Sequence, residues 1–150
     1  MIRAGVRLAL LSRLVRDRTG GALVEFALLA PVFIGMVIGV IQVGMYMQNY
    51  TAVRSLASDA ARFAAVEYQK NNNIGTTTMA SDIAAIGATS PYNLSPDRLS
   101  VTLNEVASRV NGAHEFDMDI TYSIPTFMSG IGFHDITIDY SRPLFVIDNS

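Results

Sequence analysis

The chain has 150 residues, half of them apolar and only 16% charged, with a mean hydropathy of +0.31. That length suits one domain; so little charge excludes a disordered chain, and a net charge of −2 argues against a general nucleic-acid binder. Cysteine is absent, which removes disulfide scaffolds and thiolate metal sites, and two histidines leave little for a His-based centre.

Charge is segregated along the chain. Residues 1–18 carry Arg3, Arg7, Arg13, Arg16 and Arg18 against Asp17, a balance of +4, while residues 19–150 carry six basic and twelve acidic side chains, a balance of −6. From Phe26 to Ile41 no residue is charged or polar, and Gln42 is the sole polar interruption before Met47. Phe26–Met47 as a helix spans about 33 Å, the thickness of a bilayer core. The arginines place the N-terminus in the cytoplasm and export the residues after Met47. A cleaved secretory signal fits less well, because its apolar core is shorter and residues 42–46 offer no small-x-small site.

Glu25 stands at the entrance of this run, between Leu23-Val24 and Phe26-Ala27. A carboxylate drawn into hydrocarbon costs on the order of 2.5–3.5 kcal/mol on insertion scales, which makes it a functional suspect; snorkelling to the headgroups is the plainer alternative. Gly20-Gly21 weakens helix continuity just upstream, as a protease site would need. Ala27, Pro31, Gly35 and Gly39 are spaced by four and form a narrow small-residue stripe suited to close helix packing. Pro31 leaves the Ala27 carbonyl without its usual partner, so a kink or local looseness is expected there.

Beyond the apolar run, Tyr46, Tyr50, Val53, Ala57, Ala60 and Ala64 succeed one another at helical spacing and are expected to pack on the chain's own exported part. Asp59 and Arg62 are three apart and can pair, worth only about 0.2–0.5 kcal/mol on an exposed face. One helix from Ala22 to Lys70 would be about 74 Å long. Residues 71–78 read as a polar loop, Ala80–Ile86 as a short helix stopped by Gly87, and Pro91 and Pro96 as brackets of a further loop.

Three alternating patterns then predict strands: Leu99, Val101 and Leu103; Phe116, Met118, Ile120, Tyr122 and Ile124; Ile136, Ile138 and Tyr140. Asn111-Gly112 marks a turn between the first two. Each strand has one apolar and one wet face, as in an antiparallel sheet covering a helix. Asp117, Asp119, Asp135 and Asp139 fall on the wet side; a solvated face accounts for them, and calcium, which favours carboxylate oxygens, is the alternative without an EF-hand-like loop around it. His114 and His134 have no nucleophile or ligand spacing about them. No enzyme, metal centre or cofactor is expected.

Arg16-Asp17-Arg18-Thr19-Gly20-Gly21-Ala22-Leu23-Val24-Glu25-Phe26-Ala27-Leu28 has the order of a type IV prepilin: basic leader, glycine, glutamate at the fifth position after the cut, apolar helix. Through Leu29-Ala30-Pro31 and on to Asp59-Ala60-Ala61-Arg62-Phe63-Ala64-Ala65, the chain closely resembles the TadE-like family, the minor pilins or pseudopilins of tight-adherence (Tad/Flp) pili. The likeness covers about Arg18 to Val66. It implies cleavage between Gly20 and Gly21 by a prepilin peptidase, an assembly role for Glu25, and Phe26 where related major pilins often carry tyrosine.

The implied product is a pilus component needed for assembly, adhesion and surface attachment. Its partners would be the peptidase, other pilins, the Tad assembly machinery and membrane lipid, with no nucleic acid. It would sit in the bacterial inner membrane as a single-pass protein with a periplasmic head, and in the extracellular pilus after processing. The expected fold is α+β and pilin-like: a basic leader at 1–20, a transmembrane helix at 21–47, its exported extension at 48–70 and a small head with an antiparallel sheet at 71–150. The competing readings are an uncleaved single-pass anchor that displays a small binding domain, and a secreted enzyme whose apolar run is only a signal.

Overall fold

Helical spacing of apolar residues near the N-terminus and strict alternation near the C-terminus give an α+β chain in the computed structural model. The structure describes residues 19–70, 74–127, 132 and 134–147. The leader arginines Arg3 to Arg18 and the Asn71–Asn73 loop therefore lie outside the described residues. Helix α1 (Thr19–Gln69) is followed by α2 (Thr76–Ala88), a 3-10 turn at Pro96–Arg98, and strands β1 (Leu99–Val106), β2 (Ala113–Ile124) and β3 (Ile136–Ile147). The chain divides into two compact units, Met1–Ile41 and Gln42–Ser150.

In the first unit, the described residues are helical throughout, and the helix continues through Pro31. Its large apolar side chains lie open: Leu23, Phe26, Leu28 and Val40 are each at least 70% exposed. It is long and apolar enough to cross a membrane.

The second unit is a sheet with a helix across its apolar face. The strand order is β1-β2-β3, both pairings antiparallel, with Val101 and Tyr140 flanking Ile120 and with Leu99 and Ile138 flanking Tyr122. One face of β2 buries Phe116, Met118, Ile120, Tyr122 and Ile124. These join Val53, Leu56, Ala57, Ala60 and Ala64 of α1, none of which is exposed, and Met79 and Ile83 of α2. Alanines at 57, 60 and 64 alternate on the packed side of α1 with the larger Val53 and Leu56, and the large side chains of β2 fill the space between helix and sheet.

Several sequence expectations change here. Tyr46 and Tyr50 continue the apolar spacing of α1 but remain 36% and 38% exposed and stack on each other, ring centroids 6.1 Å apart. Leu56, outside the expected stripe, fills the core instead. Thr76–Thr78 belong to α2 rather than to a loop, and Gly87 is buried within that helix rather than ending it. Strand β3 runs past Tyr140 and through Pro143 to Ile147. Proline removes a ladder donor, which an edge strand tolerates, and β3 pairs only with β2.

Gly87 is there for space. A Cβ at this position would lie 2.7 Å from Leu56 Cδ2 and 2.8 Å from Leu99 Cδ2, so α1, α2 and β1 meet at a point with no room for a side chain. Gly112, in the turn before β2, instead uses its freedom of backbone, with φ +79°.

We expect Gly87→Val to destabilise the head by about 1–3 kcal/mol through overpacking, and Leu56→Ala to cost about 2–5 kcal/mol through a cavity. Because the valine would occupy space that Leu56 vacates, the double variant should lose less than the two single losses combined. Thermal unfolding of the detergent-solubilised chain measures all three.

Candidate assembly site on the first helix

The residues singled out by sequence for processing and assembly all fall on α1. Gly20 and Gly21 lie in its first turn, and Glu25 comes four residues after Gly21, one turn along and close to the same side. All three are exposed, as is Phe26 at 70%. Ala27 and Pro31 are exposed and Gly35 and Gly39 half-exposed, and the spacing of four keeps them along one side of the helix. A Cβ built at Gly20, Gly21, Gly35 or Gly39 meets no atom within 4 Å. Nothing described in the chain covers this stripe.

Glu25 is the only ionisable residue from Gly20 to Ile41. Beside it, Phe26, Leu29, Ala30, Phe33 and Ile34 line a shallow apolar hollow of about 300 Å³. The arrangement can bind an apolar helix or lipid along most of its surface, and can hold one positive charge near its start.

The second unit begins at Gln42, the polar interruption of the apolar run. Its side-chain Nε2 donates to the carbonyl of Pro125 at 3.2 Å, just after β2, while Oε1 is buried without a partner among the described residues. Packing of the second unit thus reaches residue 42.

Further along α1, Asp59 does not pair with Arg62. Its carboxylate accepts a hydrogen bond from the Tyr92 hydroxyl, which ties α1 to the segment between α2 and β1. That bond, with help from desolvation and from the charge of Asp59, pushes the Tyr92 hydroxyl pKa up to about 12.

A second tie was hidden by alternation. Glu115 falls on the wet face of β2 by spacing, yet it is only 2% exposed. Arg109 covers it: the Arg109 backbone N–H donates to Glu115 Oε2 at 2.8 Å and its Nε to Oε1 at 2.8 Å, and the guanidinium lies 5.7 Å from the Phe145 ring centroid. These hydrogen bonds hold the Glu115 carboxyl below its ordinary range. The pairing depends on a loop that folds back over the strand, which no residue spacing reveals.

His114 stays exposed beside Glu105 at 3.1 Å, and His134 is exposed. On the outer sheet face Asp117 stands opposite Pro143, Asp119 opposite Ser141, and Asp139 opposite Thr121, whose hydroxyl donates to it at 2.9 Å. Asp135, off the sheet, accepts from the Thr126 N–H at 3.2 Å. Among the described residues no group of three His, Asp or Glu side chains is placed to hold a metal ion.

An apolar helix of membrane-spanning length, followed by a small three-stranded antiparallel sheet, defines the class of this α+β protein. Residues 20–62, under a third of the chain, match the family model described as TadE-like protein. No curated protein and no solved structure matches the chain. The match contains Gly20, Gly21, Glu25, Phe26, Ala27, Pro31, Gly35, Gly39 and Asp59.

The Glu115 pairing has a testable pH dependence. A carboxyl whose folded pKa is lowered stabilises the fold above its ordinary pKa, and that contribution is lost as pH falls through the folded value. The unfolding temperature should therefore drop between about pH 6 and about pH 3. In Glu115→Gln it should start lower at about pH 6 and fall less over the same range, as measured by circular dichroism melts.

Proposed function

We propose that the chain is a minor pilin, or pseudopilin, of a Tad/Flp-type pilus. A prepilin peptidase at the cytoplasmic membrane face clips it between Gly20 and Gly21, and the product enters a pilus that serves adhesion and surface attachment. The observation that carries this reading is the surface of residues 20–41. Within a TadE-like segment, a helix leaves its apolar side chains without cover and carries one carboxylate, Glu25, near its start.

The chemistry comes from that surface. Residues 21–41 as helix span about 32 Å, enough for the bilayer core, and the head begins at once with Gln42. In the membrane the uncovered side chains contact lipid; in a pilus they contact the helices of other pilins. Two glycines in the first helical turn each cost about 1 kcal/mol of helix stability relative to alanine, so that turn opens readily to the extended form a peptidase binds. Clipping frees an amine on Gly21. Between neighbouring subunits this amine and the Glu25 carboxylate neutralise one another, leaving neither charge unpaired in a medium where an isolated ion costs several kcal/mol.

The reading places the protein in the bacterial inner membrane with the leader in the cytoplasm and the head in the periplasm, and later in the pilus with the other pilins and the Tad assembly machinery. Small residues at Ala27, Pro31, Gly35 and Gly39 give those helices a line of close approach.

Mass spectrometry of the protein from cells with an active prepilin peptidase should find a chain that starts at Gly21. An intact leader in such cells identifies an uncleaved anchor instead, and a start beyond Met47 a secreted protein. Gly20→Phe should keep the leader attached and slow migration on a gel. Glu25→Ala should insert normally, since removing a carboxylate eases partitioning by about 2.5–3.5 kcal/mol at most, and should reduce the pili counted by electron microscopy.

A further inference from the structure

We infer that the head associates with a second copy of this chain, the acidic outer face of the sheet in one copy seating on the arginine-bearing flank of α1 and β3 in the next. The inference deepens the assembly reading by naming a subunit contact outside the membrane helix. Its test uses the unclipped chain, so its failure leaves the processing proposal standing.

The sheet supplies one half of the contact. Asp117, Asp119 and Asp139 share the face opposite the core, and the register sets Asp119 opposite Ser141 and Asp139 opposite Thr121. The three carboxylates thus lie in one patch of neighbouring and diagonal positions. No Lys or Arg stands on this face of β1, β2 or β3; Arg109 lies at one end, engaged with Glu115. Like charges so placed repel one another, and an opposing positive surface would remove that cost.

The helix flank supplies the other half. Arg54 and Arg62 are exposed on α1, on the side away from Val53, Ala57 and Ala60. Between them Ser58 accepts a hydrogen bond from Arg142 Nη1 at 3.2 Å, which brings a third guanidinium to the same flank from β3. Among the described residues no carboxylate lies within ion-pair distance of these three arginines. Tyr50, Thr51, Arg54, Ser55, Ser58 and Asp59 line a shallow groove of about 390 Å³ there, and its one acid, Asp59, is held by Tyr92.

Arg54, Arg62 and Arg142 on one flank of the head, which outnumber the single acid Asp59 among them, and Asp117, Asp119 and Asp139 on the outer sheet face are complementary between copies and cannot meet within one. An interface of this kind is heterologous, so each added copy presents the same free face again and the contact propagates. Charge of this disposition steers approach and fixes orientation, and salt weakens it.

The chain has no cysteine, so engineered ones report contacts cleanly. The experiment mixes full-length Ser55→Cys, on the helix flank, with full-length Ser141→Cys, on the acidic face, in detergent micelles under mild oxidation. Mixed disulfide dimers should exceed random pairing several-fold at low salt and return to random at about 0.5 M salt, where the Debye length is only a few ångströms. Adding Asp119→Lys and Asp139→Lys to the Ser141→Cys chain should remove the excess. Adding Arg54→Glu and Arg62→Glu to the Ser55→Cys chain should then restore it, provided circular dichroism shows each variant folded. Random pairing at low salt, or an excess that ignores salt and charge reversal, overturns the proposal.

Discussion

Apolar surface must leave water, and helix α1 meets that constraint in two ways along its length. From Gln42 onward the chain supplies its own cover: Val53, Leu56, Ala57, Ala60 and Ala64 lie against Phe116, Ile120 and their neighbours. From Gly20 to Ile41 the described chain supplies none, and large side chains stand open. At about 25 cal/mol per Å² of apolar area, such a surface in water would be strongly unfavourable. Lipid or other helices are media that would relieve it.

The head depends on the same economy of space. The bare Gly87 of α2 lets Leu56 of α1 and Leu99 of β1 occupy the space a Cβ would need. Polar ties then fix the surrounding segments: Gln42 to Pro125, Asp59 to Tyr92, Ser58 to Arg142. Each joins α1 to an element distant in sequence, so the helix is the frame on which the rest of the head is hung.

Local patterns made much of this legible. The apolar run, Glu25 and the glycines were plain because charge, polarity and spacing along one helix need no knowledge of partners. Strand alternation placed Phe116, Met118, Ile120, Tyr122 and Ile124 correctly on the buried face. The misses share a different cause. Tyr46 and Tyr50 keep helical spacing yet lie where the core does not extend over them. Glu115 has the right alternation for solvent, but Arg109 folds over it; Asp59 has Arg62 at pairing distance in sequence, but Tyr92 reaches it from another element. Strand β3 continues through Pro143 because it is an edge, a fact of sheet order and not of local propensity.

Sequence by itself determined the membrane-length helix, the basic N-terminal stretch, the carboxylate at the start of the apolar run and the alternating strands, since each is written in local composition or in periods of a few residues. Tertiary structure alone decided that the second compact unit starts at Gln42 and which charged groups find partners: Glu115 pairs with Arg109 and Asp59 accepts from Tyr92, while Arg54 and Arg62 have no carboxylate within ion-pair distance among the described residues. The physical reason is that a charge is satisfied by whatever lies within a few ångströms of it, and those neighbours come from segments tens of residues away that only the fold brings together.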